Sequence, residues 1–368
     1  MNKFLKNFKF NKNEKEEKDF LYGLLKYSSV NIGDEIQSIA AMRFLPKVEQ
    51  YIHREQLNKY YPKSGKKTKL IMNAWWMHKP QNFPPSEFIE PLLISMHISV
   101  KKRKTILTEQ VRKYFIEHGP VGCRDVSTYE WLKSEGIPAY FSGCLTLTLQ
   151  RNKSIKRENY ILCIDVPEEV VEELKKRTKK PVYNLSSLLT PYYDSKQRMN
   201  IAKMFLRLLH NAHCVVSTRL HVILPCLAFE TPVLRILTEE NGSDIEGRFS
   251  GFEDFMYSVN VENFISNKDC YNLNFPPKNP NKHIKMRKDL IRRCTVFTEY
   301  NRKKSLMIHY CNPLVEIFQL QKYSQDNIKR ILYWGRIRDL KKVLENKEND
   351  ISKHELKYLQ YFNSCFEI

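Results

Sequence analysis

Short apolar runs of strand length and longer segments with helical apolar spacing take turns along most of this chain. The strand-like runs are Phe20–Tyr27, Lys69–Asn73, Leu92–Met96, Val121–Arg124, Ala139–Phe141, Tyr160–Asp165, Pro181–Asn184, Cys214–Ser217 and a run opening at Pro232. Between them lie helical patterns. Ile36–Leu45 places Ile36, Ile39, Ala40 and Phe44 on one face and stops at Pro46; Thr108–His118 is opened by Thr108 and ended at Gly119-Pro120; Ser127–Ser134 ends at Gly136. Pro167–Arg177, Arg198–Ala212 and the apolar stretch after His221 complete the set. Strands that alternate with helices through short connections predict parallel sheets covered by right-handed crossovers. The polar, basic stretch Gln150–Glu158 interrupts the alternation, so the expected fold is α/β with two tandem doubly wound domains. The expected divisions are a charged leader at 1–19, an N-terminal β/α domain at 20–155, a C-terminal β/α domain at 156–281 and a basic helical extension at 282–368. Within the extension, Met286–Ile291, Lys304–Tyr310, Asp326–Leu344 and Ser352–Tyr361 carry helical patterns.

A chain of 368 residues, 42% of them apolar, is long enough for two cores. Its formal charge of +20, from 61 basic and 41 acidic residues, calls for an anionic partner: a nucleic acid, an anionic membrane leaflet, or a phosphorylated or nucleotide-linked substrate. The basic residues fall in short scattered clusters such as Lys63–Lys69 and Lys101–Lys104. No zinc-finger spacing, RNP-like strand or KH loop accompanies them, which argues against nucleic acid. The basic extension, with Trp334 among apolar neighbours, either lies on an anionic membrane surface or packs back across both domains. Nine cysteines, an odd number with no Cys-x-x-Cys pair, read as reduced thiols, and residues 1–18 lack the apolar run of a signal peptide. No apolar run is long enough to cross a bilayer, so the expected localisation is cytoplasmic, peripheral at the inner face of the membrane where the extension binds it.

Chemistry-bearing residues gather at the ends of the predicted strands. Cys214–Ser217 delivers Arg219 and His221 to the first turn of an apolar helix, a place where open α/β sheets bind anions because backbone N–H groups and the helix dipole point there. An Arg fork at that spot predicts a carboxylate or phosphate ligand. Val121–Arg124 ends in a second Arg, before a helix that Asp125 or Ser127 caps, so Arg124 is expected to face the same anion. In Asn31-Ile32-Gly33-Asp34-Glu35-Ile36-Gln37 the glycine permits a tight turn from strand to helix. Asp34 either caps that helix, with Gln37 completing a capping box, or points into the cleft. Asn73 and His97 end two further strands. Each of these residues also has a structural alternative: Arg219 as a cap or a partner within its own domain, His221 as a satisfied helix histidine, and Asn73 and His97 as hydrogen-bonded strand ends. Gly-x-Gly-x-x-Gly, the phosphate-loop motif, His-Glu-x-x-His, Gly-x-Ser-x-Gly, Asp-x-Asp and cysteine-rich ligand sets do not occur, so neither a metal nor a cofactor is expected.

An ordered set of motifs resembles the polysaccharide pyruvyl transferases: Asn31–Gln37; Val121-Gly122-Cys123-Arg124-Asp125 with Thr128 and Leu132–Ile137; Ser142-Gly143-Cys144-Leu145-Thr146-Leu147-Thr148-Leu149; Ser217-Thr218-Arg219-Leu220-His221; and Arg248-Phe249-Ser250-Gly251-Phe252. The resemblance implies a glycosyltransferase-B-like fold of two Rossmann-like domains, acceptor side first and donor side second. It implies transfer of an enolpyruvyl-derived group from phosphoenolpyruvate to two hydroxyls of a sugar, giving a cyclic ketal on a cell-surface polysaccharide or its lipid-linked precursor. The family's donor-binding Arg pair falls on Arg124 and Arg219, its acid on His221 and its Gly-Asp turn on Gly33-Asp34. On that basis Ser217 joins the donor side, Asp34 becomes the base for the attacking hydroxyl, and Asn73 and His97 are assigned to the acceptor. Two other functions stay open on the residues alone: a glycosyltransferase with a nucleotide-linked, acidic sugar donor, and a non-catalytic protein that binds polyanions or glycans.

Overall fold

The computed structural model describes residues 20–189, 193–238 and 247–302, together with Ile317 and Leu320. The charged leader and the helical patterns at 304–310, 326–344 and 352–361, with Trp334, lie outside the described residues. The first half of the chain folds as β1 (Phe20–Lys26), α1 (Ile32–Met42), β2 (Gln50–His53), β3 (Lys67–Ile71), β4 (Trp75–Trp76), β5 (Ile89–Leu92), β6 (His97–Ile98), α2 (Arg103–Ile106), α3 (Glu109–Glu117), β7 (Val121–Cys123), α4 (Val126–Ser134) and β8 (Ala139–Phe141). The second half follows as β9 (Ile161–Ile164), α5 (Glu168–Arg177), β10 (Val182–Leu185), α6 (Ser195–Asn211), β11 (Cys214–Ser217), α7 (Leu220–Ala228), β12 (Val233–Leu237), β13 (Tyr257–Asn260), α8 (Val261–Ser266) and α9 (Ile284–Thr298).

The strands make a mixed α/β fold with parallel sheets. One sheet has the order β2-β1-β3-β5 and the other β10-β9-β11-β12-β13; β4 pairs with β6, and β7 with β8. Every one of these pairings is parallel. Bonds from Gly122 N to Leu93 O and from Met96 N to Gly122 O carry the first ladder on toward β7. β9 and β11 are buried along their whole length, which is why they read as unbroken apolar runs rather than as alternation. In each sheet the chain's first strand lies between its second and third, so the connections leave toward opposite edges. The crevice beyond the carboxyl ends of the first and third strands is then the natural ligand site.

Helix α1 starts at Ile32, four residues ahead of the apolar pattern, because Asn31 is its N-cap and accepts from Gly33 N at 2.8 Å. Asp34 therefore sits inside the first turn and is not the cap. The short strands β2, β4, β6 and β13 carry little periodicity and were not predicted by the pattern. α9 is the first helix of the basic extension, longer at both ends than its predicted core. It lies against the first half, where Tyr22 Oη donates to Thr298 O at 3.0 Å and Met286 packs so closely on Gly143 that a Cβ there would meet its sulfur at 1.9 Å. Among the described residues no helix is long and apolar enough to cross a membrane.

One apolar cluster draws on both halves: Tyr22 and Leu24 of β1, Ile36 and Ile39 of α1, Leu162 of β9, Phe205 and Leu209 of α6, Ile223 and Leu227 of α7, and Leu290 of α9. Two smaller clusters belong to one half each, around Trp76 and Phe115 and around Cys163 and Phe264. A buried ion pair also crosses between the halves. Arg198 Nε of α6 donates to Glu35 Oε1 of α1 at 2.6 Å, and Arg198 Nη2 donates to Ser29 O at 2.8 Å. Burial pushes the Glu35 carboxyl up to about 7 despite the opposing pull of Arg198. Replacing Arg198 with Met leaves that carboxylate buried without its counter-charge. The expected result is a loss of about 3–5 kcal/mol in urea unfolding, with part of it recovered in the Glu35→Gln, Arg198→Met double variant.

Candidate functional site

In the second sheet, β9 runs out into Asp165, a non-glycine residue in the left-handed region at φ 50°. Such a conformation costs of order 1–3 kcal/mol and is held here by a dense set of bonds. Asp165 Oδ1 accepts from Ser186 Oγ at 2.8 Å, while Oδ2 accepts from Ser187 N at 3.1 Å, from Ser187 Oγ and from Arg219 Nε at 3.0 Å. Arg219 is the N-cap residue of α7, and its side chain stays 44% exposed. Among the described residues no side chain caps α7, which leaves the positive end of that helix turned to the crevice. Ser217 is buried; its hydroxyl donates to Ile164 O at 3.0 Å and accepts from Arg219 N at 3.0 Å, locking the neighbouring strand ends together.

In the first sheet, β1 leads through Ser29 to α1, and β3 leads to Trp75. Asp34 is 6% exposed. Its Oδ2 accepts from Ser29 Oγ at 2.5 Å and from Arg54 Nη1 at 3.2 Å, and its Oδ1 accepts from Gln37 Nε2 at 3.3 Å. Arg54 is itself buried, pairs with Glu55 at 2.7 Å, and lies 5.0 and 5.3 Å from the rings of Tyr27 and Trp75. Beyond β7 stands Arg124, 1% exposed, with Nε 3.5 Å from Asp125 Oδ2. Its Nε and Nη2 make no hydrogen bond among the described residues. A buried guanidinium with unspent donors is costly unless a ligand takes them up.

The two crevices open on one cavity of about 250 Å³. Ser29, Asn31, Gly33, Asp34, Trp75, His78 and Arg124 line it from the first half, and Ser187, Thr218, Arg219, His221, Arg248 and Phe249 from the second. Gly33 and His221 touch across it: a Cβ on Gly33 would lie 2.7 Å from His221 Nδ1, so only glycine lets the ring settle on the first turn of α1. Gly33→Ala is therefore expected to displace the ring and cut turnover more than tenfold, with a shift in melting temperature of only a few degrees, as read by steady-state kinetics beside thermal melting. His221 Nε2 is buried without a partner among the described residues. Burial, then the charges of Arg124 and Arg248, hold the imidazole well below its usual range, so His221 is neutral while the cavity is empty. The carboxylate of Asp34 faces Arg54 and that of Asp165 faces Arg219, while Arg124, Arg219 and Arg248 all line the cavity. No group of three or more His, Cys, Asp or Glu placed to hold a metal occurs among the described residues.

Four of the residues singled out from the sequence, Asp34, Arg124, Arg219 and His221, thus line one cavity. Ser217, Asn73 and His97 do not. Asn73 is 1% exposed and donates through Nδ2 to Gln37 O at 2.8 Å. His97 is wholly buried and bonds through Nδ1 to Asp125 Oδ2 at 2.6 Å, behind Arg124. Asn73 lies two residues past the end of β3, whereas the strand expected over Leu92–Met96 stops at Leu92 and His97 opens β6 instead of closing a strand; both side chains turn into the protein. The wall on that side is built instead by Trp75 and His78, whose rings lie 4.7 Å apart. Asp165 and Ser187 were reachable by the same strand-end rule that found Arg219. Arg248 was not, since no periodic element leads to it.

A search of curated proteins returns no match. Among solved structures the chain is similar to two of the wall teichoic acid polymerase TagF, at 10% and 7% identity. Each alignment covers 85% of this chain and 90% of the other with a TM-score of 0.29, a likeness too low to argue from. The family model described as polysaccharide pyruvyl transferase matches residues 93–240, a stretch that holds Arg124, Asp165, Arg219 and His221, and over that stretch the chain is similar to the polysaccharide pyruvyl transferases.

Proposed function

We propose that the protein forms a pyruvate ketal on a sugar of a cell-surface polysaccharide or its lipid-linked precursor, with phosphoenolpyruvate as donor. The observation that carries this is the convergence of Arg124, Arg219, Arg248 and His221 on one small cavity, with two nitrogens of the buried Arg124 making no hydrogen bond among the described residues. Phosphoenolpyruvate carries a carboxylate and a phosphate, and guanidinium forks suit both. His221 gives its proton to the methylene carbon, which becomes a methyl group, and positive charge builds on the neighbouring carbon. The first sugar hydroxyl adds there, its proton passing to Asp34 through the Ser29 hydroxyl. Phosphate then departs with the bonding pair and carries that proton away. The second hydroxyl closes the ketal, and its proton restores His221. Trp75 and His78 offer ring faces to the sugar, and on this proposal they take the acceptor role first assigned to Asn73 and His97. Two parallel sheets that present their carboxyl ends to one cavity support a glycosyltransferase-B-like arrangement, with an acceptor side at 20–155 and a donor side at 156–281.

The test is incubation with phosphoenolpyruvate and a panel of glycosides, some of them lipid-linked and presented in anionic vesicles. Phosphate release coupled to a mass gain on the sugar is expected; turnover only with nucleotide-linked sugars would sink the proposal. A pH signature follows from His221. Its proton is held less tightly in the empty folded protein than in the unfolded chain, so stability falls as the pH drops below about 6.5. A bound anion reverses that shift. Donor binding at neutral pH should therefore take up protons, seen by calorimetry in buffers of different ionisation enthalpy, and His221→Gln should abolish the uptake.

A further inference from the structure

A second and larger cavity lies at the other end of α7. It measures about 740 Å³ and shares no lining residue with the first. α7 is nine residues long, so its two ends stand about 13 Å apart at 1.5 Å per residue. His221 sits near one end, and Leu227 and Ala228 meet the second cavity at the other.

The walls of this cavity are strongly basic. Arg151, Lys153 and Arg157 come from the connection between the two halves, and Lys278, His283 and Arg287 from the chain leading into α9. The acid among them, Glu230, is already held by Arg151 Nη1 at 2.8 Å. Arg157 is spent on the carbonyls of Phe229, Glu230 and His210 and on Thr231 Oγ1, closing the end of α7. That leaves Lys153 and Lys278, both exposed, and Arg287, which donates through Nη1 to Ala228 O at 3.2 Å. His283 lines the same cavity, and its ring bonds the backbone of Pro280. It is 3% exposed, and its Nδ1 has no hydrogen-bond partner among the described residues.

We propose that this cavity binds a ligand with clustered phosphate groups. Its donors approach from two separate walls, and a lone carboxylate offers acceptors in one plane only. Clustered phosphates present oxygens in several directions and enough charge to answer two lysines and an arginine. The volume, well within the range of small-molecule sites, leaves room for the rest of such a ligand. The phosphates belong either to a soluble compound or to a lipid headgroup. The site goes beyond the proposed ketal transfer, which uses the other cavity.

The experiment uses the full chain and inorganic pyrophosphate at low ionic strength, titrated by calorimetry. The variant Lys153→Glu with Lys278→Glu reverses two exposed charges and should fold normally, with its phosphoenolpyruvate turnover unchanged. It should bind pyrophosphate at least about tenfold more weakly than wild type. Arg124→Gln, which alters only the first cavity, should keep a pyrophosphate site of wild-type affinity. The site is ruled out if pyrophosphate fails to bind, if the double reversal leaves its affinity unchanged, or if Arg124→Gln alone removes all binding. Flotation with phosphatidylcholine vesicles, with and without phosphatidic acid, separates the sources. Flotation that needs phosphatidic acid and is lost in the double reversal identifies a lipid headgroup; pyrophosphate binding without flotation identifies a soluble ligand.

Discussion

Arg124→Lys is expected to lower kcat/KM for phosphoenolpyruvate by about 10²–10⁴, although the charge is kept. Arg124 is buried, and two of its guanidinium nitrogens make no hydrogen bond among the described residues. Each hydrogen bond to a charged group contributes about 1.5–3 kcal/mol, and an ammonium at the end of a thinner stem cannot form the same pair of them. The equivalent change at Arg219 should cost less, because that side chain is half exposed and already shares its fork with Asp165. The comparison is made by steady-state kinetics with thermal melting as the control. Equal, small losses at both positions would show that the cavity is not the donor site.

His221→Gln should lower the chemical step by about 10²–10⁴, the usual worth of a positioned general acid, while donor affinity changes little. Gln keeps a polar group of similar size on the first turn of α7, against Gly33. Single-turnover kinetics separates chemistry from binding. Burial and the nearby arginines hold the imidazole well below its usual range, so on the proposed mechanism it gains its proton with the anion, and free protein should show little of the protonated form at pH 7. If the variant melts early and its remaining folded fraction turns over normally, His221 is a packing residue and the mechanism falls.

Much of the fold was legible because both sheets are parallel and buried. Ile161–Ile164 and Cys214–Ser217 are continuous apolar runs flanked by helical patterns, and the strand ends followed from them. The site was legible only to the extent that side chains sit at those ends and point outward, as Arg124, Arg219 and His221 do. Backbone position alone does not settle orientation. Asn73, just past β3, and His97, which opens β6, both turn inward, because Gln37 O and Asp125 provide buried partners from elsewhere in the chain. Arg54 escaped notice for a similar reason: its pairing with Asp34 joins the turn after β1 to the residue after β2, and no local spacing encodes it. Asp34 was read as either a helix cap or a cleft residue; it lines the cavity, and the cap is Asn31, three residues earlier, which has the geometry to satisfy Gly33 N.

The contact between Gly33 and His221, together with the apolar cluster that runs from β1 through α1, α6 and α7 to α9, bears on how such a protein can diversify. A new acceptor preference cannot be acquired by grafting a foreign first half onto this second half, since the seam would cut through the core and through the Glu35–Arg198 pair. Recombination between distant relatives should yield insoluble chimeras. Variation that survives will instead fall on the rim around Trp75 and His78, where side chains change without disturbing what the two halves share.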